Sequence, residues 1–127
     1  MLLLLYFKLT YLKQVNQFIM RELIMRTVKK FNHSVRDVSR DDFKQWIYDS
    51  QNGYGASIIP NIFLCEESNY EDLFEVAIIK FTDLDHIHFD LDYSTEITDD
   101  VVLYLTEDEV SDILDRVDTL PAVIIVE

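Results

Sequence analysis

The sequence contains few of the residues that break up, cross-link or neutralise a chain. Two glycines and two prolines among 127 residues leave no room for a collagen-like, linker-rich or low-complexity architecture. A single cysteine, Cys65, excludes a disulfide framework within the chain, and its apolar neighbours favour a buried thiol over a nucleophile. No apolar run approaches the roughly 20 residues of a membrane span. These absences favour an intracellular, cytoplasmic protein of about one small domain that has no membrane partner.

Positive charge is also scarce. The chain has 11 Lys and Arg residues and 24 Asp and Glu residues, so the formal net charge is −13. This balance argues against direct binding of nucleic acid through its phosphates. The charge is divided along the chain, with nine cations and four acids in residues 1–48 but two cations and 20 acids in residues 49–127. Such asymmetry indicates an interaction surface, although an acidic face that only aids solubility explains it about as well.

Recognisable catalytic motifs are missing too. Both glycines lie in Gly53-Tyr54-Gly55, which fits no phosphate-binding or dinucleotide-binding spacing, and no Gly-x-Ser-x-Gly occurs. The best enzymatic alternative is His86-Ile87-His88, because two imidazoles on one strand face could share a metal with Asp90. Polar residues on the solvent face of a strand explain the same pattern more simply. We therefore expect no catalytic residues, no metal and no cofactor.

The first 24 residues differ from the rest of the chain. Apolar residues recur at helical spacing and predict a helix over about residues 9–23. Residues 21–25 can instead be back-translated into a purine-rich stretch followed by a start codon, the layout of a bacterial ribosome-binding site. We therefore expect residues 1–24 to be a translated leader or a dispensable helix, and residues 25–127 to form one acidic domain.

Hydrophobic patterning predicts six strands in this domain. They cover about residues 23–31, 58–64, 74–81, 87–93, 101–105 and 122–126. Two capping-box signals predict helices, the first after Ser39 and the second after Thr106. The order β-α-β-β-β-β-α-β indicates a small α+β domain whose mostly antiparallel sheet has both helices packed on it.

The two predicted helices each have an apolar face. These faces comprise Phe43, Trp46 and Ile47 in the first helix and Val110, Ile113, Leu114 and Val117 in the second. We expect the core to centre on Trp46, Val76, Ile78, Phe89, Leu91, Ile113 and Leu114.

The acids of the second predicted helix form one negative stripe. Asp108, Asp112 and Asp115 recur at i, i+4 and i+7, and like charges at i,i+4 cost roughly 0.2–0.5 kcal/mol per pair. Asp115 and Asp118 also lie at the unfavourable end of the helix dipole. Because stability alone would favour lysines there, we interpret the stripe as part of a partner-binding surface. The other predicted members of this surface are Glu66, Glu67, Glu71 and Asp72 in a loop, and Asp90 and Asp92 on a strand.

This acidic surface resembles a nucleic-acid backbone in charge. Carboxylates about 6.6 Å apart on one strand face have about twice the ~3.4 Å axial spacing of phosphates along a DNA strand. We therefore predict a non-enzymatic inhibitor that mimics nucleic acid and blocks the basic channel of a partner such as a nuclease. Small acidic proteins of phages and mobile elements that block restriction or CRISPR nucleases are similar in size and charge. The alternatives are an immunity protein or antitoxin against a basic nuclease toxin, and a metal-dependent enzyme that uses His86 and His88.

Overall fold

A β-hairpin begins the computed structural model, which describes residues 26–61 and 73–126. Strands β1 (Thr27–Lys30) and β2 (His33–Asp37) pair antiparallel across the two-residue turn Phe31-Asn32. Both turn residues have left-handed φ angles, 57° and 59°, as a type I′ turn requires. The sequence predicts the end of a strand here but no return strand, because the glycine that usually marks such a turn is absent.

The first predicted helix is a strand in the structure. Residues 40–43 form a turn that is closed by backbone hydrogen bonds between Arg40 and Phe43, and β3 (Trp46–Asp49) follows. Trp46, Ile47 and Tyr48 are buried in succession because both faces of the sheet are covered there. The burial of Trp46 and Ile47 therefore matches the apolar face of the predicted helix only by coincidence. Phe43, which was expected on the same buried face, is 46% exposed.

Two long strands form the centre of the sheet. β4 (Tyr54–Pro60) pairs with β5 (Phe74–Phe81) along its whole length. Gly55 is required in β4 because a Cβ atom there would overlap the backbone carbonyl of Tyr48 on β3. The bounds predicted for the central strand β5 are confirmed. The strand predicted for residues 58–64 begins four residues earlier, and its end lies outside the described residues.

Two short strands share the other side of β5. β6 (Phe89–Leu91) pairs with the second half of β5, and β7 (Val102–Leu105) pairs with the first half. The order is β1-β2-β3-β4-β5-β6, with β7 also on β5, and every pairing is antiparallel. The strand predicted for residues 87–93 is therefore shorter than expected. Leu91 lies on this edge and is 50% exposed, so its placement in the core is wrong.

The second predicted helix is confirmed as α1 (Glu107–Val117), the only helix among the described residues. Thr106 Oγ1 accepts a hydrogen bond from the Glu109 N–H, and Glu109 Oε1 accepts one from the Thr106 N–H, which completes the predicted capping box. The helix packs against β4, β5 and β7. Its buried residues include all four of the predicted apolar face: Val110, Ile113, Leu114 and Val117.

The main core lies between α1 and the sheet. It includes five of the seven predicted core residues, Trp46, Val76, Ile78, Ile113 and Leu114, whereas Phe89 is half-buried beside a smaller cluster of Ile47, Ile79 and Phe81. The α+β prediction thus holds coarsely, as a small single domain with a seven-stranded antiparallel sheet and one described helix.

The chain after α1 lacks the predicted closing strand. Residues 122–126 form no strand, and Ile124 and Val126 are 91% and 84% exposed. The Val123 N–H donates a hydrogen bond to the backbone carbonyl of Asn52, and Ile125 packs against the smaller apolar cluster. In residues 26–61 and 73–126, no helix is long and apolar enough to cross a membrane.

Candidate interaction surface

A group of acidic side chains lies along the edge of the sheet formed by β6 and β7. The chain leaves the sheet between these strands as a loop of residues 92–101. We call the carboxylates of β6 and this loop the acidic edge: Asp90, Asp92, Glu96, Asp99 and Asp100. All except Asp92 are exposed. Asp90 and Asp92 were predicted from the sequence as binding residues, but the other three were not. The pairing of both strands with β5, which places the loop at one edge of the sheet, is not visible in the sequence.

The members of the acidic edge differ in their hydrogen bonds. Asp92 accepts hydrogen bonds from the hydroxyl and the N–H of Ser94, and these bonds hold its pKa below the ordinary value even though partial burial acts against them. Asp100 accepts a hydrogen bond from the N–H of the next residue. Within the described part of the chain, the side chains of Asp90, Glu96 and Asp99 accept no hydrogen bond and form no ion pair, although Asp90 lies opposite Lys80 in the pairing of β5 with β6.

The predicted helical stripe divides into two parts. Asp108 and Asp112 are exposed, and neither has a partner in the segments that the structure describes. Asp115, in contrast, lies with Oδ1 2.9 Å from Nε2 of His33. The unfavourable interaction of Asp115 with the negative end of the helix dipole is therefore offset by its contact with His33 on β2.

Asp118, the C-cap of α1, also has partners. Its Oδ1 accepts hydrogen bonds from the Tyr48 hydroxyl at 2.7 Å and from the Ser50 hydroxyl. Burial, together with this hydrogen bond to Asp118, raises the pKa of Tyr48 well above its ordinary value. Both carboxylates at the C-terminal end of α1 therefore hold the helix against the sheet.

Lysine and arginine neutralise few of these acids. Among residues 26–61 and 73–126, Lys30–Glu107 is the only ion pair between a carboxylate and a lysine or arginine, at 3.3 Å. The ammonium group of Lys30 also lies about 5 Å from the ring centroids of Phe31 and Trp46. This lysine is thus fixed between the core and the first turn of α1.

His86 and His88 precede β6 and do not share a strand face, so their expected placement is wrong. Nδ1 of His86 lies 2.7 Å from Asp49, its ring stacks on Phe81 at 4.7 Å, and its φ angle is 55°. Nδ1 of His88 lies 2.9 Å from Asp83. The two imidazoles therefore have separate carboxylate partners, and neither belongs to a three-ligand group among the described residues.

A pocket of about 500 Å³ lies beside the small apolar cluster. Arg36, Asp49, Asp85 and His86 contribute charged or polar groups to its lining. Burial lowers the pKa of Arg36, an effect that Asp49 opposes, and Nε of Arg36 has no partner in the described segments. Because the lining combines opposite charges, it favours neither an anion nor a cation.

Part of the predicted surface lies outside the described residues. This part comprises Glu66, Glu67, Glu71 and Asp72, and Cys65 and the helix predicted for residues 9–23 lie outside as well. Comparison with family models, curated proteins and solved structures finds no match for the chain in any of the three. The chemistry of the acidic surface is therefore the basis for assigning a function.

Proposed function

We propose that the protein is a non-enzymatic inhibitor that presents nucleic-acid-like negative charge to the cationic channel of a DNA- or RNA-handling enzyme. The observation that carries this proposal is a group of exposed carboxylates on β6, in the β6–β7 loop and in the first two turns of α1 that have no hydrogen bond or ion pair among the described residues. We call these residues the unpartnered set: Asp90, Glu96, Asp99, Asp108 and Asp112. These negative charges repel one another in the folded protein, and a cationic partner reduces this repulsion when it binds.

The spacing within the unpartnered set supports mimicry. Asp108 and Asp112 lie about 6 Å apart along the helix axis, which is close to twice the ~3.4 Å axial spacing of phosphates along a DNA strand. Lysines and arginines arranged to contact phosphates can therefore contact successive carboxylates of this kind. Long-range attraction between the surfaces also accelerates their association.

Exposed apolar side chains accompany the acidic edge. Leu91 and Leu103, on β6 and β7, and Tyr93 in the loop between them are all exposed. Aromatic and aliphatic residues of this kind supply contact energy that a phosphate backbone lacks, and Tyr is enriched among energetic hot spots. The combination favours a protein partner, and it allows the inhibitor to compete with nucleic acid at moderate salt.

The test begins with capture of the partner. Immobilised full-length protein is exposed to a lysate of the source organism, and bound proteins are eluted with a short DNA duplex, identified by mass spectrometry and assayed with the inhibitor. We expect an enzyme that acts on nucleic acid to be released by the duplex and to be inhibited by the wild type. A bound protein that the duplex does not release, and whose nucleic-acid activity is unaffected, would contradict the proposal.

Two charge variants locate the binding surface. The edge variant Asp90→Asn/Glu96→Gln/Asp99→Asn removes three unpartnered charges, and the control variant Asp41→Asn/Asp42→Asn/Asp85→Asn removes three exposed charges elsewhere. We expect the edge variant to inhibit weakly and the control variant to inhibit like the wild type. Equal inhibition by both variants would exclude the acidic edge. Capture of a small toxin encoded beside this gene would favour the immunity-protein alternative.

A further inference from the structure

His33 lies between two hydrogen-bond acceptors where β2 meets the C-terminal end of α1. Its Nδ1 is 2.6 Å from the carbonyl oxygen of Phe31, and its Nε2 is 2.9 Å from Oδ1 of Asp115. A neutral imidazole has one N–H group and can donate to only one of these oxygens. When Nδ1–H donates to the Phe31 carbonyl, the lone pair of Nε2 faces the carboxylate of Asp115, and a metal ion bound between these two atoms satisfies both.

Asp118 completes a group of three potential ligands with His33 and Asp115. One ligand atom from each residue lies within 4.8 Å of the other two. A metal ion at ~2.0–2.2 Å from each atom draws the three closer together. The side chains of Asp115 and Asp118 are exposed and can rotate to close this distance.

The groups around these ligands resemble the outer shell of a metal site. The Phe31 carbonyl accepts the Nδ1–H of His33 and so selects the tautomer whose Nε2 is able to bind a metal. The His33 side chain is only 11% exposed and packs edge-on against the Tyr48 ring, so its orientation is fixed without Asp115. The hydroxyls of Tyr48 and Ser50 both donate to Oδ1 of Asp118, which leaves Oδ2 for a metal.

The charge balance also favours a divalent cation. Asp115 and Asp118 lie where the helix dipole adds negative potential. Neither carboxylate pairs with a lysine or an arginine in the segments described. A divalent ion at this position compensates both negative charges.

We propose that Nε2 of His33, Asp115 and Asp118 bind one divalent transition-metal ion, and that this ion joins β2 to α1. One imidazole and two carboxylates form a donor set suited to Zn²⁺, whereas Mg²⁺ prefers oxygen ligands alone. Three protein ligands leave a coordination position open to water or to a partner. The site shares none of the unpartnered set, so it stands independently of the proposed inhibition.

The experiment uses full-length protein stripped with a chelator. Zn²⁺ and, separately, Mg²⁺ are titrated into it by calorimetry, and the ring nitrogens of His33 are followed by ¹⁵N NMR. We expect one Zn²⁺ per chain, a change of the Nε2 chemical shift to the metal-bound value, and no comparable binding of Mg²⁺. An Nε2 chemical shift that stays unchanged in excess Zn²⁺ would overturn the proposal.

Matched asparagine variants test the ligands. Asp118→Asn keeps an oxygen that can accept from Tyr48 and Ser50, so the fold is preserved while a ligand is lost; we expect Zn²⁺ affinity to fall by roughly tenfold or more. Asp112→Asn changes an exposed, unpartnered residue of the same helix and should leave the affinity unchanged. Wild-type affinity in both Asp118→Asn and Asp115→Asn would place the bound zinc elsewhere and refute the site.

Discussion

Two groups of carboxylates in this protein differ in their relation to the fold. Asp115 and Asp118, at the C-terminal end of α1, contact His33 on β2, the Tyr48 hydroxyl on β3 and the Ser50 hydroxyl just after β3. The unpartnered set lies on the β6–β7 edge and on the first two turns of α1, without contacts of this kind in the described structure. Asp112 and Asp115 belong to one predicted stripe, yet the structure separates them. An acidic stripe in a sequence therefore combines charge that stabilises the fold with charge that is available to a partner.

The largest effect is expected where a carboxylate is the acceptor for a buried hydroxyl. Asp118→Ala removes the acceptor of Tyr48, whose hydroxyl then lacks a partner, so we expect a loss of about 1–3 kcal/mol in the free energy of unfolding. Asp118→Asn keeps an acceptor and should cost less. Urea denaturation of both variants provides the measurement, and equal losses would show that the hydrogen bond does not matter.

A smaller effect on stability is expected at Asp92, whose carboxylate is hydrogen-bonded, unlike that of Asp90. The Ser94 hydrogen bonds lower the pKa of Asp92 in the folded protein below its unfolded value of about 3.9. The stabilisation is therefore complete above the unfolded pKa and is lost as the pH falls through the folded pKa. We expect Asp92→Asn to unfold at a lower temperature than the wild type at pH 7.

Thermal unfolding from pH 7 to about pH 2 tests this dependence, because the difference between the wild type and Asp92→Asn should shrink towards the acid end. Asp90→Asn is the control, since it removes no hydrogen bond between described residues. A difference that persists unchanged at the lowest pH would assign the role of Asp92 to packing instead of charge.

The smallest effect on stability is expected in the helical part of the unpartnered set. Asp108→Asn/Asp112→Asn removes a like-charge repulsion at i,i+4, but it also removes the attraction of Asp108 to the N-terminus of α1 and that of Asp112 to Arg116 at i,i+4. These terms oppose one another, so stability should change by no more than about 1 kcal/mol. Denaturant unfolding at low salt measures the change, which should diminish at high salt because salt screens all of these interactions. Clear destabilisation by this variant would mean that the two carboxylates support the fold after all.

Local sequence signals predicted the elements whose patterns are unambiguous. The continuous apolar run of β5 and the Thr106–Glu109 capping box of α1 gave correct elements, because each signal lies within a few consecutive residues. The prediction of the first helix was wrong because β3 is covered on both faces, so the adjacent residues Trp46 and Ile47 are both buried and imitate a helical pattern. The Phe31-Asn32 turn was missed because it has left-handed residues without glycine.

The contacts that separate the two groups of carboxylates are distant in sequence. His33 and Asp115 are 82 residues apart, and Tyr48 and Asp118 are 70 residues apart. Helical periodicity describes α1 alone and cannot show which of its acids meet the sheet. The prediction of the acidic edge was incomplete for the same reason, because β6 and β7 lie along one edge only through their shared pairing with β5.

The central claim is that the unpartnered set is the binding surface, and the salt dependence of inhibition tests it most directly. The enzyme captured with the DNA duplex is titrated with the wild type, the edge variant and the control variant from about 50 to 200 mM salt. The edge variant should bind more weakly and with a shallower slope of log affinity against log salt. The control variant has the same net charge as the edge variant but should match the wild type in both respects. An edge variant that keeps both the wild-type affinity and the wild-type slope would contradict the claim.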